Sequence, residues 1–193
     1  MKITDVKTIL TTNPGCSLEK FGALWTSQLA RVHARLGSAI QGLEMPGEHF
    51  TDLPNVIASP EKIVEVLQFL KTDDECGYDF LSDLSATDEF PDPQRFQVVY
   101  HLFSTKRHAR IRVKTRVREG QKVPTAISVW PAANWAEREV YDMFGVEFAG
   151  HPDLRRILMD MRWVGYPLRK DYDLKGYQIF PTPEPINPDL LKG

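Results

Sequence analysis

Cysteine is almost absent from this chain of 193 residues, which carries only Cys16 and Cys76. Two thiols this far apart are too few for a disulfide framework or a cysteine-ligated metal site, so a reduced pair is expected. Long apolar runs are missing too. The longest uncharged stretch, 123–136, is broken by Pro124 and Pro131, and nothing approaches the ~18 residues that a spanning helix needs. The opening Met1-Lys2-Ile3-Thr4-Asp5 leads into no apolar run, so no secretory signal is expected. A role at a membrane would pass through a partner. Neither charge is in excess: Lys plus Arg total 24, Asp plus Glu total 26, and the net charge is -2. No global field pulls the chain toward nucleic acid or an anionic bilayer.

The elements of common active sites are lacking as well. No Gly-x-Gly-x-x-Gly follows a strand, and no Lys-Ser/Thr follows a suitable glycine pair. His33, His49, His101, His108 and His151 are scattered, without His-Glu-x-x-His spacing. Each reads as a surface or satisfied core histidine before it reads as a ligand. No Ser or Cys stands in a nucleophile-elbow context. Catalytic, cofactor-binding and metal-ligating residues are therefore expected to be none in this chain.

What is present suits one soluble domain with a sizeable core: 42% hydrophobic and 26% charged residues. Ser17 can cap a helix running to about Leu36, with Phe21, Trp25, Leu29, Val32 and Leu36 as its apolar stripe and Gly37 as its stop. Short extended pieces are expected at 38–43 and 55–58. Ser59-Pro60-Glu61 starts a second helix by capping hydroxyl, proline and acid. Ile63, Val66, Leu67 and Leu70 form its buried face, and the acidic run from Asp73 to Glu75 ends it. Strands follow at 78–85, 96–103 and 110–118. In the last, Arg110, Arg112, Lys114, Arg116 and Arg118 alternate with Ile111, Val113, Thr115 and Val117, which predicts one wet cationic face and one buried face. Asn134 with Glu137 suggests a capping box for a third helix, its stripe Ala136, Val140, Met143 and Phe144, and its stop Gly145. The order α, β, β, α, β, β, β predicts an α+β fold, a mostly antiparallel sheet packed with helices. Pro181, Pro183, Pro185 and Pro188 predict an extended C-terminal tail. The expected division is an N-terminal helical segment 1–37, an α+β core 38–158 and an extended arm 159–193.

The densest chemistry lies between Trp135 and Tyr172. Acids, bases and aromatics crowd together there: Trp135, Glu137, Arg138, Glu139, Asp142, His151, Asp153, Arg155, Arg156, Trp163, Arg169, Lys170 and Asp171. Two readings stand evenly. Arg155 and Arg156 pair with Glu137, Glu139 or Asp142 and pin a loop to the helix, or the guanidinium forks point outward at a partner. Trp135 and Trp163, if exposed, favour an interface, where Trp and Arg are common anchors. The cationic strand reads first as a solvated edge, second as a docking face for an acidic neighbour, and last as a nucleic-acid surface, since its alternate residues are aliphatic rather than stacking aromatics.

Glu137-Arg138-Glu139-Val140-Tyr141-Asp142-Met143-Phe144-Gly145-Val146, followed by Gly150-His151-Pro152-Asp153-Leu154-Arg155-Arg156-Ile157-Leu158, resembles the defining motif of the 30 kDa-type subunit family of respiratory complex I, the NADH:quinone oxidoreductase. Asp79-Phe80-Leu81-Ser82-Asp83-Leu84 and Val99-Tyr100-His101-Leu102 resemble that family's central strands. Trp163-Val164-Gly165 with Pro167-Leu168-Arg169-Lys170-Asp171-Tyr172 resembles its closing motif, with Tyr166 where the family usually has histidine. The likeness runs over residues 55–180. It implies a non-catalytic scaffold in the peripheral arm, on the cytoplasmic side of a bacterial inner membrane, beside the quinone-site and iron–sulfur subunits. It also implies that FMN and the Fe-S clusters sit in partner subunits, in a complex that couples electron transfer from NADH to quinone with proton translocation. The charged and aromatic residues of the strip, from Trp135 to Asp171, are then interface candidates. The runner-up is the equivalent scaffold of a membrane-bound hydrogenase or related oxidoreductase. A nucleic-acid-binding α+β domain is the alternative from another class.

Overall fold

Helix α1 (Leu18–Leu36) turns its apolar stripe inward: Trp25, Leu29, Val32 and Leu36 are buried. The computed structural model describes residues 18–44, 52–176, 178 and 179. Ser17, Cys16, the side chain of Phe21 and the proline-rich tail lie outside those residues. One polar side chain interrupts the stripe. Gln28 is fully buried, and it donates to the Glu75 carbonyl at 2.9 Å and accepts the Tyr78 hydroxyl at 2.7 Å, so its amide is satisfied where water cannot reach. Arg31 fastens the same helix to Asp73, at the end of the next one, with Nη2 to Oδ2 at 2.7 Å.

A 3-10 turn (Gly37–Ala39) leads into β1 (Ile40–Glu44), and β2 (Asn55–Ala58) returns beside it. The expected Ser59 cap is corrected. Its hydroxyl makes no capping bond; a 3-10 turn over Pro60–Lys62 comes first, and α2 (Ile63–Thr72) follows. Proline at the first position already lacks an N–H, so the turn leaves less for a cap to satisfy. Ile63, Val66, Leu67 and Leu70 are all fully buried, as the period requires.

Three longer strands complete the sheet: β3 (Phe80–Asp88), β4 (Phe96–Ser104) and β5 (Ala109–Val117). β3 starts and ends later than its residue types suggest: the Tyr78 N–H is spent on the Leu70 carbonyl at 2.9 Å, and a register irregularity falls between Leu81 and Asp83. The order is β1-β2-β5-β4-β3, with β2 and β5 parallel and the other neighbours antiparallel. The cationic strand is therefore the middle of the sheet and not an edge. Its alternation holds: Ile111, Val113, Thr115 and Val117 are buried, while Arg110, Arg112, Lys114 and Arg116 face the other side. The buried face of β3, β4 and β5 shares one apolar cluster with all three helices, at about 25 cal/mol for each Å² of apolar surface removed from water.

After β5 the chain forms β6 (Val123–Pro124), helix α3 (Ala133–Phe144) and β7 (Phe148–Ala149). β6 and β7 pair in parallel as a second, two-stranded sheet. Helix α3 packs against β3. No capping box forms at its start: Ala132 occupies the N-cap without a side-chain bond, Asn134 is already inside the helix, and Glu137 points into the core. Gly145 ends the helix as expected, with φ +77°.

Candidate functional site

Residues 150–176 have no regular ladder, so their backbone needs other partners. Those partners are the charged side chains of the strip. Asp142, on the last turn of α3, is fully buried. Its Oδ2 accepts the N–H groups of Ile157, Leu158 and Met159 at 3.0, 2.7 and 2.9 Å, and its Oδ1 accepts Arg156 Nη1 at 2.6 Å. Burial alone would push this carboxyl up; the three N–H groups and the guanidinium outweigh it and hold Asp142 below the usual carboxylate range. Arg156 reaches on to the Gly165 carbonyl at 2.8 Å and lies over the Tyr166 ring at 5.1 Å. One acid and one guanidinium thus fold the loop 156–165 onto the helix.

A second knot closes the segment behind it. Arg95, only 6% exposed, forks onto Asp88 at 2.8 and 2.7 Å and also grips Asp171. The bond from Arg95 brings Asp88 down to about 2, and the Lys170 N–H adds a contact at 2.8 Å. Arg169 donates from Nε to the Phe144 carbonyl at 2.6 Å and pairs with Glu119. Its guanidinium lies between Phe96 and Tyr166, 5.0 and 4.5 Å from the ring centres. The Leu168 N–H takes the Met143 carbonyl at 3.1 Å. The open carbonyls at the end of α3 are thereby satisfied by the returning chain. Gly145 must be glycine twice over: its φ is positive, and an added Cβ would lie 2.5 Å from the Tyr166 ring and 2.6 Å from Arg169.

The remaining candidates are split between the interior and the surface. Glu137 is fully buried, accepting the Thr125 hydroxyl and the Ala126 N–H at 2.6 Å each. His151 is half-buried. Its Nδ1 accepts the Asp153 N–H at 3.0 Å and its Nε2 lies 3.1 Å from the Asn134 carbonyl, which fixes the Nε2–H tautomer. Arg155 and Asp153 form a two-pronged pair with each other at 2.6 and 2.7 Å, about two-fifths exposed, so Arg155 meets none of Glu137, Glu139 or Asp142. Arg138 donates to the Arg155 carbonyl at 3.1 Å and stacks over Trp135, which is 66% exposed. Glu139, Lys170 and Asp171 are exposed, and Trp163 is half-buried.

Reading the segment by its charges passes over its aliphatic side chains. Leu158, Met161, Val164 and Leu168 are 55–74% exposed, and Leu174 and Ile179 almost wholly so. The only signal in the sequence is that aliphatics persist there without helical or strand period. On the open face of the sheet the cations of β5 have acids of this chain beside them: Arg112 with Asp52 at 2.8 Å, Lys114 with Glu44 at 3.6 Å and Arg116 with Asp92 at 3.2 Å, while Arg110 lies over Phe103. Such pairing does not suit a phosphate-binding surface. Among the described residues no group of three or more His, Cys, Asp or Glu could hold a metal ion, and no helix is long and apolar enough to cross a membrane.

Known proteins are similar to this chain in sequence and in fold. The family model described as "Respiratory-chain NADH dehydrogenase, 30 Kd subunit" matches residues 56–178. The chain is 48% identical over 137 residues to a C-type subunit of the NADH-quinone oxidoreductase of Rhizobium meliloti (strain 1021), covering 68% of this chain and 75% of the relative. It is 46% identical over 167 residues to the corresponding protein of Rhizobium etli (strain CIAT 652), covering 83% and 87%. Among solved structures, a chain of the membrane-bound sulfane sulfur reductase, an archaeal respiratory membrane complex, superposes with a TM-score of 0.60 at 25% identity, covering 77% of this chain and 85% of that one.

Proposed function

The chain belongs to the family of 30 kDa subunits of respiratory-chain NADH dehydrogenases, and we propose that it serves as the cofactor-free scaffold of that type in an NADH-quinone oxidoreductase. The complex carries electrons from NADH through FMN and Fe-S centres to quinone, and couples this to proton translocation. Those cofactors belong to the partner subunits of the peripheral arm. This chain reaches the membrane, on its cytoplasmic side, by holding them. The sulfane sulfur reductase likeness shows that the fold is shared among respiratory membrane complexes, so the fold alone does not name the electron donor or acceptor. Identity near one half to NADH-quinone oxidoreductase relatives favours NADH and quinone over the hydrogenase-type alternative.

One observation carries the docking role. The strip spends its buried charges on its own backbone and leaves Leu158, Met161, Val164 and Leu168 facing outward. Exposed aliphatics that an internal charge network holds in place are what a partner can bury. Trp135, Arg138, Glu139, Asp153, Arg155 and Lys170, all at least partly exposed, are the further contacts this reading assigns to the interface. Glu137, Asp142, Arg156 and Arg169 support the strip from behind. In this reading 38–158 is the core, 1–37 flanks it, and 159–193 is the arm that meets the neighbours.

The test is gentle purification of the full-length tagged chain from its own cells. Flavin-, iron–sulfur- and quinone-site subunits should come with it. Replacing Leu158, Met161, Val164 and Leu168 together by serine should strip those neighbours away. The stability of the isolated chain should move by no more than about 2 kcal/mol for the four changes together, as for exposed sites. Full retention of the neighbours by the serine variant would remove the docking role.

A further inference from the structure

Glu137 lies inside the strip, yet among the described residues no Lys, Arg or His pairs with it. It reaches from α3 to the turn after β6, where Oε2 accepts the Thr125 hydroxyl and Oε1 accepts the Ala126 N–H, both at 2.6 Å. That turn is tied to the start of the strip. Val123 N–H bonds the Glu147 carbonyl and Thr125 N–H bonds the Ala149 carbonyl, each at 2.9 Å, so β6 carries β7. His151, just beyond β7, bonds back to α3 at the Asn134 carbonyl. Helix α3, the 125–126 turn and the chain from Phe148 onward thus form a closed loop of contacts, and Glu137 is the fastening between its first two members.

The surroundings of the carboxyl are neutral. From β4 comes Tyr100, fully buried, with a hydroxyl that makes no hydrogen bond. Burial first, and then the charge of Glu137, hold that phenol in its neutral form. From the turn comes Thr125. The charged neighbours on α3 are engaged elsewhere: Arg138 with Trp135 and the Arg155 carbonyl, Asp142 with Arg156. Burial pushes the Glu137 carboxyl up to about 7 although both its donors pull it down. The folded chain therefore takes up a proton that the unfolded chain releases near the ordinary glutamate value. The stability this contributes is full below about 4.5 and is lost as pH rises through about 7.

We propose that Glu137 is a proton-controlled latch: neutral, with one oxygen still accepting the Ala126 N–H and its own O–H turned onto Thr125 Oγ1, it fastens α3 to the 125–126 turn and sets the shape in which the strip from Phe148 to Met159 docks; ionised, a buried charge with no cation of the described residues beside it, it draws in water and loosens that fastening. The latch is a positioning device and rests on the docking role proposed above. It makes retention of the neighbouring subunits weaken as pH rises.

Glu137→Gln keeps an acceptor for the Ala126 N–H and places a donor at the Thr125 hydroxyl, without a proton to lose. The experiment follows thermal unfolding of the full-length chain, wild type and variant, from about pH 5 to about pH 9. The wild-type melting temperature should fall relative to the variant by roughly 5 °C in total, most of it between about pH 5 and about pH 7, and level off above that. His101, whose own value is depressed by burial and then by Arg112, tilts both curves alike and cancels in the difference. Parallel curves would overturn the latch. Should the variant not fold, carboxyl carbon NMR of wild-type Glu137 decides: a midpoint near neutrality supports the latch, and one near the ordinary glutamate value sinks it. Retention of the neighbours at about pH 6 and about pH 8.5 tests the coupling. Wild type should hold fewer at the higher pH and the variant equally many at both; equal retention by wild type overturns the coupling. If wild type holds no neighbours at either pH while the melting curves still diverge, the docking role has failed and the latch stands on its own profile.

Discussion

The two most charged regions of this chain, the open face of β5 and the segment 150–172, use the same residue types for opposite ends. On β5 the backbone is already held by ladders to β2 and β4. Its Arg and Lys side chains pair across the surface with Asp52, Glu44 and Asp92, of which Asp52 is well exposed and Asp92 partly so. In 150–172 there is no ladder, and Asp142, Arg156, Asp88 and Arg169 bond backbone groups themselves, with Arg95 holding Asp88 in place. The lesson is that a charge is worth what its removal leaves behind. A lost surface partner is replaced by water. A lost buried partner leaves an ion and several backbone groups unsatisfied.

Arg156→Ala puts the largest strain on this contrast. Asp142 would remain fully buried with no cation, and the Gly165 carbonyl would lose its donor. Breaking such a pair from one side costs on the order of 3–5 kcal/mol, and chemical denaturation of the isolated chain should read it. Arg155→Ala, one residue earlier, removes only an exposed pair with Asp153 and should cost at most about 1 kcal/mol. Equal losses for the two variants would show that the strip is not sewn down by Arg156.

Gly145→Ala comes next. It forces a side chain onto a positive φ, with the Tyr166 ring and Arg169 already in the space. Strain of this kind costs about 1–3 kcal/mol. Because the clash falls on the clamp, it should also release the closing segment. Hydrogen exchange at the Leu168 and Tyr172 amides should rise more than at any amide of β4. A uniform rise across both would mean that the segment and the sheet open together.

Sequence reading recovered what is local and periodic. The alternation of β5, the apolar face of α2 and the stop at Gly145 each follow from residue order within one element, and each is present. It failed where partners are distant. Nothing in Val123-Pro124 announces a parallel pairing with Phe148-Ala149 beyond an entire helix. Glu137 read as a capping acid because its spacing from Asn134 is right, and only the packing of Thr125 and Ala126 against it shows a core residue. The centre of the sheet looked like an edge because the place of a strand is set by β2, far back in the chain. In the strip, residue type marked the region but not the division of labour, since Arg155 and Arg156 are alike in sequence and differ in what lies beneath them.

Arg112→Ala is the smallest change and the most exposed test of the β5 side of the comparison. Arg112 sits at the middle of the middle strand, between Asn55 of β2 and His101 of β4. Its Nη2 meets Asp52 at 2.8 Å, but Asp52 is three-quarters exposed, so water and salt can take over the carboxylate once the cation is gone. Its Nε is buried without a hydrogen-bond partner, and truncation removes that unsatisfied donor, which offsets part of the lost attraction. The expected cost is therefore within about 1 kcal/mol, shrinking further at high salt. Its backbone N–H still bonds the Pro54 carbonyl whatever the side chain, so the ladder survives the substitution. A loss of several kcal/mol that salt does not relieve would place this face among the structures that hold the fold, and the contrast between the two regions would collapse.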